Sequence, residues 1–117
     1  MIVVTIPAFN EEKTISKVIR DIKRVMQELR KPFTILVVDD GSRDRTADAA
    51  KEAGAKVVRH PLNYGLAEAF RTELKECIKL QADIIAHTDA DGQYRAEEIP
   101  LLIKAVERGN DLVLGSR

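Results

Sequence analysis

Two carboxylates placed two residues apart are the feature of this sequence that most directly suggests chemistry. Asp89 and Asp91 follow the apolar run 84–86, and Gly92 comes directly after them. Closely spaced carboxylates repel one another unless a cation lies between them, and oxygen ligands in a loop suit a hard divalent ion such as Mg²⁺ or Mn²⁺. On spacing alone a solvated acidic turn is favoured instead, because Asp and Gly are common turn residues.

Several better-known sites are excluded by the residues present. Counted from Asp89, a calcium-binding helix-loop-helix needs Gly at the sixth position and Glu at the twelfth, where Tyr94 and Pro100 stand. The sequence also has no Gly-x-x-x-x-Gly-Lys-Ser/Thr loop and no Gly-x-Gly-x-x-Gly after its first predicted strand. These absences argue against a P-loop enzyme and a dinucleotide-dependent dehydrogenase.

Composition indicates one ordinary globular domain. The 117 residues are 44% hydrophobic and 32% charged, and 19 Lys plus Arg balance 19 Asp plus Glu. A formal charge of zero gives no sign of a nucleic-acid partner. No apolar run is long enough to span a membrane, and the Met1 end is typical of a strand, not of a signal peptide. A single cysteine, Cys77, makes no internal disulfide and fits the core of a protein in a reduced cytoplasm.

Strands and helices are predicted to alternate along the chain. Apolar runs predict strands at 2–6, 33–38, 55–59, 83–88 and 112–114. Pro7 is expected to end the first strand. The third strand is more polar and is expected nearer a sheet edge. The first helix carries Ile15, Val18, Ile19, Ile22, Val25, Met26 and Leu29. The second, capped by Ser42 or Asp44, turns Ala47, Ala49, Ala50 and Ala53 inward. The third carries Ala67, Phe70, Leu74, Cys77 and Ile78, and the fourth carries Ile99, Leu102, Ile103 and Val106, with Pro100 in its first turn.

This alternation predicts an α/β fold with a doubly wound, mainly parallel sheet and helices on both faces. In such sheets the binding crevice lies outside the carboxyl ends of the strands. The strand-to-helix connections here hold the segments 7–11, 39–44, 60–65 and 89–93, which are rich in polar residues, whereas the helix-to-strand connections hold little beyond caps. We therefore expect the functional residues to share one edge of the sheet.

Three of these segments carry a family resemblance. They are 6–12 (Ile-Pro-Ala-Phe-Asn-Glu-Glu), 37–44 (Val-Val-Asp-Asp-Gly-Ser-Arg-Asp) and 88–93 (Thr-Asp-Ala-Asp-Gly-Gln). In this order and spacing they resemble the inverting glycosyltransferases of family 2, and within that family the polyprenyl-phosphate enzymes such as dolichyl-phosphate mannose synthase. The resemblance covers essentially the whole chain. It implies a single nucleotide-sugar-binding domain over residues 1–117, of the GT-A, Rossmann-like type, without the C-terminal acceptor-binding part.

The first two segments would hold the nucleoside if the resemblance extends to individual residues. Pro7, Phe9 and Glu11 would border the base and the ribose, with Phe9 at a position that the family often fills with tyrosine. Val38 and Asp40 would hold the nucleoside, Asp40 through the base or the ribose.

The third segment would carry the catalytic chemistry. Asp89, Ala90 and Asp91 form an Asp-x-Asp motif whose two carboxylates are the candidate catalytic residues. Asp91 and Gln93 would ligate Mn²⁺ or Mg²⁺, while Asp89 and Ala90 would contact the nucleotide sugar. Arg117 would reach the donor diphosphate or its sugar.

These roles agree with the chemistry of sugar transfer. Departure of a nucleoside diphosphate builds negative charge that a divalent ion and an arginine stabilise. A hydroxyl acceptor needs a general base, which the sequence does not reveal, whereas the phosphate of a polyprenyl phosphate is already anionic near neutral pH. The resemblance thus implies transfer of mannose or glucose from GDP-mannose or UDP-glucose to a polyprenyl phosphate, in the cytoplasm or peripherally at the cytoplasmic face of the membrane.

Two other functions fit parts of the sequence. A signalling receiver domain has a similar length and alternation, but it needs its acid pair after the first strand and a lysine after the fifth, and neither is present. A non-catalytic nucleotide-sugar-binding module, or an inactive truncated fragment, stays open because the chain stops where family members continue. His60 and His87 lack ligand-like spacing and are interpreted as packing or rim residues.

Overall fold

Strands and helices alternate along residues 1–88, 90, 96–101 and 103, which are the residues that the computed structural model describes. The strands are β1 (Ile2–Ala8), β2 (Phe33–Asp39), β3 (Lys56–Arg59) and β4 (Ile84–His87). The helices are α1 (Ile15–Leu29), α2 (Thr46–Glu52) and α3 (Leu66–Lys79). A 3-10 turn, Ala96–Glu98, leads into helical residues 99–101 and 103. The predicted strand at 112–114 lies outside the described residues.

The four strands form one parallel sheet in the order β3-β2-β1-β4. The apolar side chains of α1 and α2, with Ile99 and Ile103, form a core on one face of the sheet, whereas α3 packs on the other face. The predicted α/β class with helices on both faces is therefore confirmed, and β3 lies at the edge of the described strands, as predicted.

Helix α1 shows why periodicity predicted this part of the fold well. Six of its seven predicted core residues are buried, and the seventh, Leu29, packs against the same core. Continuous apolar strands need cover on both faces, and α1 supplies that cover with a broad stripe of Ile, Val and Met. Pro100 follows Ile99, at the start of the helical residues, as expected for a residue without a backbone N–H.

The first strand runs further than predicted. Pro7 was expected to end it, but β1 continues through Pro7 to Ala8, where Pro7 pairs with Val38 of β2. The carbonyl of Thr5 accepts from the N–H of Thr88, and the carbonyl of Ala8 accepts from the N–H of Asp40. The backbone N–H and C=O groups of odd-numbered residues in β1 therefore point toward β4, and those of even-numbered residues point toward β2. The missing N–H of Pro7 therefore points toward β4, beyond the last pair of that ladder at Thr5 and His87.

The third helix forms as predicted, but the prediction of which face of it is buried is wrong. Phe70, Leu74 and Ile78 are 42%, 38% and 78% exposed, and Ala67 is exposed as well. Of the predicted set only Cys77 is buried, and the other buried residues of the helix are Ala69 and Glu73.

Small side chains explain this orientation of α3. Ala69 and Cys77 let the helix approach the apolar face of β1 and β2 closely, which larger residues would prevent. Burial, with Glu73 and Glu76 nearby, raises the pKa of the Cys77 thiol to about 11. The thiol is therefore protonated at neutral pH and serves as a core residue, as predicted.

Within the described part of the chain, no helix combines the length and the apolar character that crossing a membrane requires.

Candidate functional site

A cavity of about 390 Å³ opens at the carboxyl ends of the strands. This volume lies within the range of roughly 300–1,000 Å³ that is typical of small-molecule sites. Its walls come from the segments after β1, β2, β3 and β4 and from the start of α3. The lining residues are Pro7, Ala8, Phe9, Glu11, Asp40, Asn63, Gly65, Leu66, Ala69 and Ala90.

The connections after β1 and β2 are joined by side-chain to backbone hydrogen bonds. The backbone N–H of Asn10 donates to Ser42 Oγ and that of Glu11 to Thr46 Oγ1, each at 2.8 Å. In the opposite direction, the N–H of Arg43 donates to Asn10 Oδ1 at 2.9 Å. Loop donors that would otherwise need water are thus satisfied by a neighbouring loop, which fixes the wall of the cavity.

Asp44 also links the connections after β1 and β2, and it contacts Thr46, the first residue of α2. Its Oδ1 accepts from the N–H of Thr46 at 3.0 Å and also contacts the Thr46 hydroxyl, while Oδ2 accepts from the N–H of Glu12 at 3.3 Å. Burial alone would raise the pKa of Asp44, but these hydrogen bonds hold that pKa below its usual range. Of the two predicted caps, Asp44 is the one that contacts the start of α2, since the hydroxyl of Ser42 accepts from Asn10 instead.

Asp40 is almost fully buried, at 5% exposure, and its carboxylate accepts three hydrogen bonds from residues that follow β3. Oδ1 accepts from His60 Nδ1 at 2.8 Å and from the N–H of Tyr64 at 2.9 Å. Oδ2 accepts from the N–H of Gly65 at 2.8 Å. Burial would raise the pKa of Asp40, but the bonds from His60 and the two backbone N–H groups lower it below its usual range. An ionised carboxylate therefore lines the cavity.

The neighbouring Asp39 has a different environment. It is fully buried, Oδ1 accepts from the N–H of Ser42 at 3.0 Å, and Oδ2 lies 3.7 Å from Nε of Arg59. Arg59 also donates through Nη2 to the carbonyl of Ser42 at 3.0 Å. Asp39 thus organises the turn after β2, while Asp40 faces the cavity.

The acidic segment after β4 reaches the same cavity through Ala90, which is buried and lines it. Its carbonyl accepts from the Thr14 hydroxyl at 2.9 Å, which ties this segment to the residues just before α1. The predicted site residues Asp89, Asp91, Gln93 and Arg117 lie outside the described residues.

The remaining predicted site residues separate into two groups. Pro7, Phe9 and Glu11 line the cavity, and the Phe9 side chain is 42% exposed at its edge. Val38 is fully buried in the core beneath α3 and is not among the lining residues. The sequence therefore predicted the shared edge correctly, but the structure brings to the cavity only part of the predicted nucleoside contacts.

Two histidines that the sequence gave no reason to select connect α3 to the sheet. His60 Nε2 lies 2.8 Å from Thr72 Oγ1, while its other ring nitrogen contacts Asp40. His87 Nδ1 lies 2.7 Å from Oε1 of the buried Glu73. Thr72 and Glu73 are two of many polar residues in α3, and their spacing does not mark them as partners of the two histidines.

The described residues contain no group of three or more His, Cys, Asp or Glu side chains arranged to hold a metal ion. Oxygen donors that would suit a hard divalent ion are present in the sequence at Asp91 and Gln93, beyond the described residues.

Comparison with known proteins agrees with the geometry. The sequence profile described as Glycosyl transferase family 2 matches residues 3–117. The chain is 36% identical over 117 residues to undecaprenyl-phosphate 4-deoxy-4-formamido-L-arabinose transferase of Pseudomonas fluorescens, over 94% of this chain and 33% of that protein. It is 36% identical over 118 residues to dolichol-phosphate mannosyltransferase of Pyrococcus furiosus, over 97% of this chain and 32% of that protein.

The fold is also similar to a solved enzyme structure. Glucosyl-3-phosphoglycerate synthase of Mycobacterium tuberculosis, in complex with Mn²⁺, UDP-glucose and phosphoglyceric acid, aligns with a TM-score of 0.78 and 30% identity. The alignment covers 96% of this chain and 41% of that chain. The present chain thus spans about a third of the two curated relatives and less than half of the solved enzyme.

Proposed function

The chain belongs to glycosyltransferase family 2, and from this premise we propose that it binds the nucleotide-sugar donor of an inverting, metal-dependent glycosyltransferase. In the whole protein the acceptor is a polyprenyl phosphate, and the transferred sugar is mannose or glucose. Two curated relatives, whose names describe transfer to undecaprenyl phosphate and dolichol phosphate, support this acceptor class.

One cavity, lined by residues from all three sequence motifs, carries this proposal. Pro7, Phe9 and Glu11 reach it from the first motif, Asp40 from the second and Ala90 from the third. These segments are far apart in sequence, and the parallel sheet brings them to one concave surface. Their convergence is what a donor site at the carboxyl ends of parallel strands requires.

Asp40 and Phe9 are suited to hold a nucleoside base. Oδ1 of Asp40 already accepts two hydrogen bonds, whereas Oδ2 accepts one and keeps a free lone pair. That oxygen can accept from a ring N–H of uracil or guanine. The exposed part of the Phe9 ring offers a face on which the base can stack.

The acidic segment after β4 would serve the diphosphate end of the donor. We propose that Asp91 and Gln93 ligate Mn²⁺ or Mg²⁺, that Asp89 contacts the nucleotide sugar, and that Arg117 reaches the diphosphate. The bound metal ion would supply Lewis-acid stabilisation of the leaving group. The bond from the Thr14 hydroxyl to the Ala90 carbonyl holds Ala90, the middle residue of the Asp-x-Asp motif, at the cavity.

A phosphate acceptor removes the need for a general base, because its oxygen is already anionic near neutral pH. The donor half would then act by binding, orientation and charge stabilisation alone. Of the two described carboxylates that line the cavity, Asp40 accepts three internal hydrogen bonds, and both Asp40 and Glu11 are assigned to the nucleoside in this proposal.

Calorimetry with UDP-glucose and GDP-mannose, each with and without Mn²⁺, tests this function. One donor should bind at least about tenfold more tightly with Mn²⁺, and Asp91→Ala should abolish that gain. Glu28→Ala, an exposed acid at the far end of α1, is the matched control and should bind as the wild type does. Tight donor binding that depends on neither Mn²⁺ nor Asp91 would contradict the assignment.

A second reading keeps donor binding but not transfer of the sugar. A non-catalytic nucleotide-sugar-binding module, or an inactive fragment, would bind the donor with Mn²⁺ and never turn it over. Incubation of the donor-bound chain with polyprenyl phosphate separates these readings, because only the enzyme releases the nucleoside diphosphate.

A further inference from the structure

His60 is a buried residue whose ring connects Asp40, at the cavity, to Thr72 of α3. The residue is 8% exposed, and both ring nitrogens have partners at 2.8 Å, Asp40 Oδ1 on one side and Thr72 Oγ1 on the other. Its backbone N–H donates to the carbonyl of Asp39, also at 2.8 Å. Ring and backbone of one residue are thus both fixed.

The chemistry of Asp40 defines which ring nitrogen donates to it. An ionised carboxylate can only accept, so Nδ1 of His60 carries a proton and donates. The Thr72 hydroxyl can donate or accept, so it suits Nε2 on the other side of the ring. This arrangement uses Oδ1 of Asp40 and leaves the free lone pair on Oδ2.

The same carboxylate holds the loop that forms one wall of the cavity. Asp40 accepts from the N–H groups of Tyr64 and Gly65, and Asn63 and Gly65 line the cavity. The ring of Tyr64 lies 5.1 Å from that of His60, centroid to centroid. An Asp40 side chain free to rotate would lose its hold on this wall.

We propose that His60 is a positioning residue for the nucleoside site: its ring holds Asp40 in one rotamer and thereby sets both the ligand-facing oxygen and the 61–65 loop before the donor arrives. The inference rests on the proposed donor-binding function. It assigns His60 no contact with the donor. Its effect is preorganisation, which lowers the ordering cost of binding.

Three substitutions at His60 separate positioning from mere packing. His60→Asn keeps an N–H near the place of Nδ1, His60→Gln moves the N–H toward the place of Nε2, and His60→Ala removes both. Loss of a hydrogen bond to a charged group should weaken binding of UDP or GDP with Mn²⁺ roughly tenfold or more in His60→Ala. His60→Asn should restore affinity to within about threefold, and His60→Gln should not.

Thr72→Val serves as the matched control, because it removes only the outer partner of the ring and leaves the bond to Asp40. We expect it to weaken nucleotide binding by about twofold. Equal losses in all His60 variants, or recovery by Gln and not by Asn, would overturn the proposal, since a packing role would favour Gln, whose side chain is closer in size to that of His.

Hydrogen exchange of the backbone amides of Tyr64 and Gly65, measured by NMR without ligand, tests the same idea independently of nucleotide binding. Both amides should exchange at least about tenfold faster in His60→Ala than in the wild type, and His60→Asn should restore protection. If the wild type binds neither nucleotide, the proposed function fails while this measurement still decides the role of His60. Unchanged protection in His60→Ala would show that the ring does not hold the loop.

Discussion

The two sides of the cavity are built in contrasting ways. On one side, the loops after β1 and β2 exchange hydrogen bonds through Asn10, Ser42 and Thr46. On the other side, α3 presents the small residue Ala69 to the cavity and leaves Phe70 partly exposed. The first side depends on the identity of its polar residues, and the second depends on the absence of large ones.

This contrast shows where the residues of a sequence motif also stabilise the fold. In the loops, the residues that make the motif recognisable are also the ones that satisfy backbone donors, so a change there should affect fold and site together. In α3, large apolar residues contribute little to the core, while Ala69 and Glu73 are buried. A change there should affect stability mainly at the buried positions.

The largest expected effect is at Gly41, the point where the turn after β2 meets the 61–65 loop. A Cβ at Gly41 would lie 2.4 Å from the carbonyl carbon of Leu62, and φ is +77°. Backbone atoms cannot rotate away, so Gly41→Ala should cost about 3 kcal/mol of unfolding free energy or more, measured by urea denaturation.

Gly65→Ala is the matched control for Gly41→Ala. Its φ of +98°, with ψ of 166°, also disfavours a side chain, but a Cβ there meets nothing within 4 Å, so the smaller cost of backbone strain alone, about 1–3 kcal/mol, is expected. Similar losses in both variants would mean that the two loops are not in tight contact at Gly41.

An intermediate effect is expected from Ala69→Leu in α3. Ala69 is fully buried and lines the cavity, so a larger side chain should cost roughly 1–3 kcal/mol and block nucleotide binding. Ile78→Ser, on the exposed face at 78% exposure, should change stability by no more than about 0.5 kcal/mol. Thermal unfolding of both variants tests whether the exposed apolar residues of α3 contribute as little to stability as their exposure indicates.

The smallest expected effect is the contribution of Asp44 to acid stability. Its folded-state pKa is lowered, so its stabilisation is complete above the unfolded value of about 3.9 and is lost as pH falls through the folded value. Asp44→Asn should therefore show a shallower loss of unfolding free energy below about pH 4 than the wild type. Parallel curves for the two proteins would mean that the junction does not depend on an ionised Asp44.

The same contrast explains what the sequence could predict. The alternation of elements, the face of α1 and the shared edge of Asp40 and Ala90 followed from apolar periodicity and from the geometry of parallel sheets. The buried face of α3 did not, because periodicity counts large apolar residues, whereas Ala69 packs by being small and Glu73 by pairing with His87. The roles of His60 and His87 depend on distant partners that a single sequence does not identify.

Pro7 removes one backbone donor from the edge of the site. Its ring nitrogen has no hydrogen, so β1 offers β4 no N–H past Thr5, where the pairing of these two strands ends. On its other side β1 stays paired with β2 as far as Ala8. A ligand that reaches Pro7 in the cavity therefore does not compete with strand pairing for an N–H at this residue.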